Sequence, residues 1–161
     1  LSLCNGSHLL VGGGTYRNQL STASDLSQTS LETATQDLMD FVDDQSLKIR
    51  VMPVCLVVPT ALNHTALKLI ETDYVVGSAD NDRNTTKGLF KDLVVSPYLT
   101  DNDAWFIVTD VPHGLVWYDR RDAEIVRDNE FDTQNLKFAT TKRFSSGWTD
   151  PRGVFGTGGA A

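Results

Sequence analysis

The sequence predicts an α+β fold, and three observations lead to that prediction. Residues 30–44 place apolar side chains at helical spacing, whereas residues 54–58 form the short, unbroken apolar run that is typical of a buried strand. Further short apolar and aromatic segments follow between about 89 and 146, and Pro and Gly separate them, which indicates more strands. Helices and strands therefore both contribute to the predicted core.

The composition narrows the class of protein. The chain has 161 residues, of which 40% are hydrophobic and 22% charged, so it is long enough for one packed core. Its formal net charge is −7 and no cluster of Lys or Arg stands out, which argues against sequence-specific nucleic-acid binding. No apolar run approaches the length of a membrane span, so no membrane partner is expected. The chain does not begin with Met, and we expect a processed product or a fragment.

The N-terminal third contains the first predicted helix. Residues 1–27 are rich in Gly, Ser and Asn, and they predict an extended segment that approaches the core. A helix is predicted at about 30–44, because Thr29 and Glu32 match the T-x-x-E capping box. Its core-facing stripe is expected to comprise Leu31, Ala34, Leu38 and Phe41 or Val42.

A strand and a second helix are predicted next. The apolar run 54–58 lies between Pro53 and Pro59, and this pattern predicts a central strand that is buried on both faces. Thr60 is the expected N-cap of a helix that ends near Thr72. The stripe that this helix turns toward the core is expected to be Leu62, Ala66, Leu69 and Ile70.

The second half of the chain predicts strands and loops. Residues 77–88 contain one Ala as their only apolar side chain, and they predict an exposed, mobile loop. Three strands, at 89–96, 104–110 and 115–119, are expected to form an antiparallel meander. Further extended segments are predicted near 124–127 and over 131–146, and the end, 153–159, is too rich in Gly for a helix.

One cysteine is placed as a nucleophile could be. Cys55 lies in a strand ahead of the helix that carries His64. Its neighbours Val54 and Leu56 favour a small buried hydrophobe instead, and burial makes a thiol inert. A small cysteine hydrolase that uses Cys55, or Cys4, with His64 is the alternative function from the enzyme class.

Other candidate sites lack the residues that their chemistry requires. The acidic turns at 80–82 and 101–103 resemble parts of calcium loops, but neither continues with the required Gly and Glu. The segment Gly12–Thr15 lacks the P-loop pattern, so its glycines are expected to serve backbone geometry. The histidines have no metal-ligand spacing, and no catalytic, cofactor-binding or metal residue is predicted. These histidines are His8, His64 and His113.

Aromatic side chains are the remaining candidates for function. Trp105, Trp117, Tyr118 and Trp148 lie in or beside predicted strands, where period-two spacing favours core packing and a partner interface is the alternative. A monomeric module whose aromatic sheet face binds a peptide is therefore a third class of function.

Three blocks of the sequence resemble tailed-phage major capsid proteins. Residues 49–59 and the following helix are similar to the family's "P-x-x-L-V-V-P, then L-x-x-x-A" block. Residues 88–107 resemble the "kG…vvv-P-y-L…aWyl" run of the branch typified by the Mu-like prophage major head subunit, and 144–153 resemble the closing "y-g…dwRg" segment. The residues that carry the resemblance include Pro53, Leu56-Val57-Val58-Pro59, Leu62, Ala66, Gly88, Val94-Val95, Pro97-Tyr98-Leu99, Ala104-Trp105, Trp148, Asp150 and Arg152-Gly153.

The resemblance implies the HK-type capsid fold. It assigns 1–27 to an extended approach segment, 28–120 to an axial-like α+β core with a central sheet flanked by helices, and 121–161 to extended strands of a peripheral-like domain. Members of the family are longer, with an N-terminal arm, an extended hairpin loop and a spine helix. The chain is therefore expected to be the C-terminal portion of such a protein.

The implied function is structural. The resemblance implies a head subunit that self-associates, through pentamers and hexamers, into an icosahedral shell around DNA. Scaffold, portal or decoration proteins are implied as further partners. The expected location is the virion capsid, and the bacterial host cytoplasm during assembly. Such a subunit requires no catalysis and no cofactor.

Overall fold

The computed structural model describes residues 2–75, 77, 80 and 82–157. Helices, a four-stranded sheet and two smaller strand pairs make up this part of the chain, so the predicted α+β class is confirmed. The elements are β1 (His8–Leu9), β2 (Thr15–Tyr16), α1 (Gln28–Met39), β3 (Pro53–Pro59), α2 (Asn63–Glu71), β4 (Asp92–Ser96), β5 (Trp105–Thr109), β6 (Val116–Asn129), β7 (Leu136–Gly147) and β8 (Val154–Thr157).

Helix α1 begins earlier than its predicted capping box. Ser27 is the N-cap: its Oγ accepts from the Ser30 backbone N–H, and the Ser30 Oγ accepts from the Ser27 N–H. The predicted box of Thr29 and Glu32 is therefore wrong, because both residues lie inside the helix. The helix also ends at Met39, before the predicted end, although the predicted stripe is buried. The buried members of that stripe are Leu31, Ala34, Leu38 and Phe41.

The main sheet has the strand order β4-β3-β5-β8. Strand β3 pairs in parallel with β4 and antiparallel with β5, so its predicted central position is confirmed. The predicted meander is wrong, since β4 and β5 lie on opposite sides of β3 and the next strand leaves this sheet. Burial on both faces is also wrong: Leu56 and Val58 are buried, whereas Cys55 and Val57 on the other face are only partly buried.

The helices cover one face of this sheet. Leu56 pairs with Ile107, which pairs with Phe155, and all three join the core that also receives α1 and α2. A short 3-10 turn, Thr60–Leu62, precedes α2, and Thr60 makes no side-chain cap, so the predicted N-cap is wrong. The helix ends at Glu71, one residue from the predicted end, with Ala66 fully buried.

Strands β6 and β7 form a separate antiparallel ribbon. The two segments predicted at 115–119 and 124–127 are parts of the single strand β6, and β7 lies within the predicted extended segment 131–146 apart from its last residue. Register shifts on either side of Arg121 place extra residues in β6, which is the signature of β-bulges. The predicted loop 77–88 lies partly outside the described residues.

Candidate assembly surface

The ribbon exposes many large apolar side chains. Every residue of β7 and every residue of β6 after Val116 is exposed to solvent. An isolated two-stranded ribbon is marginal in water, and exposed apolar surface of this extent marks an interaction site. The exposed apolar residues of 115–148 are Leu115, Trp117, Tyr118, Ile125, Val126, Phe131, Leu136, Phe138, Phe144 and Trp148.

The strand register places five of these side chains on one face. Cross-strand partners share a face, and Thr140, Phe138 and Leu136 pair with Ile125, Arg127 and Asn129. Alternation along β7 adds Phe144 to the same face, and the shifted register returns Trp117 to it, where the two rings stack with centroids 4.3 Å apart. We call this the apolar face, and it comprises Trp117, Ile125, Leu136, Phe138 and Phe144.

The opposite face of the ribbon is mixed in character. Arg121 lies directly opposite Arg143, and like charges in this position oppose strand pairing. Arg121 Nε lies 3.6 Å from a carboxylate oxygen of Glu124, whereas Arg143 makes no ion pair within the described ranges. This face therefore carries unbalanced positive charge near the middle of the ribbon.

Gly114 and Gly153 pack against each other at the base of the ribbon, where β6 begins and β7 ends. We call the part of the chain outside the ribbon the body. A Cβ on Gly153 would lie 2.2 Å from the Cα of Gly114, so the two backbones touch and neither position admits a side chain. The Thr149 backbone N–H and hydroxyl both donate to the carbonyl oxygen of His113, at 3.4 and 2.6 Å. The segments that enter and leave the ribbon are thus fixed to each other.

Arg152, which is next to Gly153, connects the base of the ribbon to the loop after α1. Its side chain is buried; Nε donates to the Val42 carbonyl at 2.9 Å and Nη2 to Asp44 at 2.8 Å. The guanidinium also lies 4.6 Å from the ring centroid of Tyr16. Burial lowers the pKa of Arg152, but the hydrogen bond that the guanidinium donates to Asp44 and its electrostatic interactions with Tyr16, Asp150 and Asp44 outweigh burial and raise that pKa. The geometry requires Arg152 and Gly153 of the closing motif, and Asp150 of the same motif accepts from the Arg152 backbone N–H at 2.9 Å.

The predicted aromatic candidates divide between core and surface. Trp105 is fully buried and its indole N–H donates to the Ser24 carbonyl at 3.1 Å, so core packing is confirmed for it. Core packing is wrong for Trp117 and Tyr118, which are 54% and 55% exposed, and Trp148 is 38% exposed. These three lie on the ribbon or at its base, and they favour the partner interface that was the alternative.

The geometry weakens the cysteine-hydrolase alternative. His64 is exposed, and no hydrogen bond joins it to Cys55 among the described residues. Burial and the charge of Asp92 raise the pKa of the Cys55 thiol, and burial raises that of Cys4 to about 11. A raised pKa lowers the thiolate fraction, which is the opposite of what an activated nucleophile requires.

The remaining sequence candidates have local structural roles. Gly13 and Gly14 adopt φ values of +90° and +96°, so their expected backbone role is confirmed. Asp101 accepts from the Asp103 backbone N–H at 3.1 Å within its turn. Within the described part of the chain, no three His, Cys, Asp or Glu side chains cluster as metal ligands would. No helix in that part has the length and apolar character of a bilayer span.

Comparison with known proteins identifies the family. The family model described as "Phage capsid protein" matches residues 6–156, and the chain belongs to this family. No curated protein matches the chain. The crystal structure of a virus-like particle from Pyrococcus furiosus is similar at 14% identity and a TM-score of 0.44, over 86% of this chain and 55% of that chain. The present chain thus spans about half the length of that relative.

Proposed function

We propose that the chain is a structural subunit that self-associates into the shell of a phage or prophage head, and that this shell encloses DNA. The observation that carries the proposal is the apolar face of the ribbon, which no described part of the chain covers. Membership of the capsid family supports it. A subunit of a closed shell needs surfaces that join neighbouring copies, and it needs no reacting group.

The apolar face can supply a useful part of the association energy. Its five large side chains are between 54% and 68% exposed. Burying a large apolar side chain fully gives about 1.5–3 kcal/mol, so covering the exposed part of five gives on the order of 5 kcal/mol per ribbon. Association itself costs several kcal/mol, and contacts repeated around a shell offset that cost cooperatively.

The finer assignments follow from the resemblance. We assign the chain to the HK-type fold, to the branch of the Mu-like prophage head subunit and to the C-terminal portion of a longer protein. In that assignment 1–27 is the approach segment, 28–120 is the axial-like core and 121–161 is the peripheral-like part. Copies would form pentamers and hexamers, with scaffold, portal or decoration proteins as further partners. The shell would be built in the bacterial cytoplasm and persist in the virion.

Paired substitutions on the ribbon test the proposal. F138S with F144S removes two rings from the apolar face, and V11S with Y98S removes two apolar side chains that are each 90% exposed elsewhere. We expect the first pair to abolish shells in electron micrographs and the second pair to leave them intact. V11S with Y98S should keep the thermal midpoint, because both side chains are 90% exposed. F138S with F144S should lower it only slightly, since the stacking of Phe144 on Trp117 is worth about 0.5–1.5 kcal/mol. Normal shells from the ribbon variant, or a whole protein that stays monomeric at every concentration, would contradict the proposal.

A further inference from the structure

The turn at the tip of the ribbon exposes an aromatic side chain to solvent. Phe131 is 95% exposed, and it lies in the turn between β6 and β7. The turn is closed by the Glu130 N–H donating to the Asn135 carbonyl at 3.0 Å, and by the Gln134 N–H donating to the Glu130 carbonyl at 2.8 Å. Lys137 lies 2.7 Å from Glu130 and fixes that carboxylate. A hydrogen-bonded turn therefore exposes an apolar ring to water.

Carboxylates without cation partners flank this ring. Asp128 and Asp132 are exposed, and neither makes an ion pair within the part of the chain that the structure describes. Glu130 is already paired, and its hydrogen bonds from Lys137 and Thr133 lower its pKa. The tip thus combines an apolar ring with two carboxylates that form no ion pair in the described residues, although Lys137, which is paired with Glu130, lies across the ribbon from Asp128.

The middle of the ribbon has the complementary properties. A shallow hollow of about 430 Å³ opens there, and residues of both ribbon faces line it: Lys142 and Phe144 belong to the apolar face, whereas Arg143 and Ser145 belong to the mixed face. Arg120 and Arg143 make no ion pair in the described ranges, although Lys142 lies 3.4 Å from Asp119. Asp122, in the same stretch, also makes none and offsets part of this charge. The hollow is lined by Arg120, Lys142, Arg143, Phe144 and Ser145.

The two features cannot meet within one copy. Eight residues of strand separate Arg120 from Asp128, which corresponds to about 26 Å at 3.3 Å per residue. Ion pairs require contact within a few ångströms, and salt screens charges over about 8–10 Å. In the described residues, two carboxylates and two guanidinium groups therefore remain without ion-pair partners at separate places on the ribbon, and the two pairs have opposite charges.

We infer that the ribbon tip of one copy inserts into the hollow of a second copy. Phe131 enters against Phe144, and Asp128 and Asp132 pair with Arg120 and Arg143. This inference rests on the proposed function and names the contact through which copies meet. The contact joins different patches on the two copies, so it is head-to-tail, and it forms a closed ring when the rotation between copies closes.

Charge exchange tests this contact in the whole protein. R120E with R143E, and separately D128K with D132K, bring like charges together at every such contact. We expect the assembled fraction, measured by sedimentation at about 0.1 M salt, to fall at least about tenfold in each variant. Combining all four substitutions restores opposite charges and the original net charge, and should return the assembled fraction to within about threefold of the original protein. R50E with K91E is the control for net charge, because both side chains are exposed and lie outside the ribbon.

The outcomes separate this contact from the general proposal. Assembly of either double variant at the original level, or failure of the fourfold variant to recover, would overturn the inference and leave shell formation standing. Shells of R120E with R143E that form normally but lose DNA would assign the hollow to phosphate and would also overturn it. A protein that forms no shell without any substitution overturns both. F131A should reduce assembly without changing the thermal midpoint, whereas F131W should retain it.

Discussion

Asn18 ties the N-terminal segment of the chain to its C-terminal strand. Its side chain is fully buried, and Nδ2 lies 2.7–2.9 Å from the carbonyl oxygens of Leu3, Pro151 and Val154, which share its two hydrogens. Its Oδ1 accepts from the Asn5 backbone N–H at 2.8 Å and lies 2.9 Å from the Nε2 of His8. Three carbonyls around Nδ2 fix the amide orientation, so His8 must donate through Nε2. Removing this one amide leaves five polar partners unpaired.

The expected cost follows from how many of those partners are buried. Only the bonds to His8 and Val154 are fully buried, and water can replace Asn18 at the other three. A buried polar group left unpaired costs about 1–3 kcal/mol, so Asn18→Ala should lower the free energy of unfolding by about 2–6 kcal/mol. Domains of this kind are stable by about 5–15 kcal/mol, so the variant should lose a large share of its stability and still show a measurable unfolding transition unless the original protein is near the lower end of that range.

Denaturant titration, monitored by far-ultraviolet circular dichroism, measures this loss in the free energy of unfolding. Asn129→Ala is the control, since Asn129 is an exposed ribbon residue whose truncation should change stability by less than about 0.5 kcal/mol. Asn18→Asp keeps the shape but directs a second oxygen at the three carbonyls, and it should cost at least as much as Asn18→Ala. A loss below about 1 kcal/mol for Asn18→Ala, or a stable Asn18→Asp, would refute the reasoning.

Two further predictions concern the base of the ribbon and the cysteines. Gly153→Ala forces two touching backbones apart and should lower the free energy of unfolding by about 1–3 kcal/mol in the same titration. Gly147→Ala is the control, because a Cβ there has open space and should cost little. Equal losses for the two variants would contradict this. The pKa of Cys4 is raised from 9.0 to about 11, so at pH 8 its alkylation should be about a hundredfold slower than that of a free thiol, and its rate should rise with pH up to about 11. Asp92→Asn should lower the pKa of Cys55 and speed its alkylation, and an unchanged rate would contradict that cause.

Local patterns in the sequence predicted the elements better than their arrangement. Helical spacing over α1 and the apolar run of β3 identified both elements, because burial of one helix stripe or one strand leaves a periodic signal. The sheet order was missed, since consecutive strands neighbour each other often but not always, and nothing local in 92–109 specifies that β4 and β5 flank β3. The capping box was misplaced because Ser27 and Ser30 supply the same hydrogen bonds as Thr and Glu would.

The candidate surface was predictable only in part. Alternating aromatics in 115–148 indicated strands, but the same alternation arises whether a face is covered by the chain or by a partner. Trp105 and Trp117 therefore look alike in sequence, and only the tertiary structure shows that one is buried and the other exposed. Contacts such as those of Asn18 and Arg152 join positions more than a hundred residues apart, so no local pattern predicts them.

The distribution of charge explains why the ribbon is the part suited to contact. Residues 116–147 contain six cations and six carboxylates, whereas the rest of the chain contains eight cations and fifteen carboxylates. The whole net charge of −7 therefore lies outside the ribbon, and the bodies of neighbouring copies repel one another. A neutral ribbon with an apolar face can approach another copy without that penalty, because its attraction is short-ranged and its charges are balanced. Repulsion between the acidic bodies favours contacts through the ribbon over contacts between the bodies.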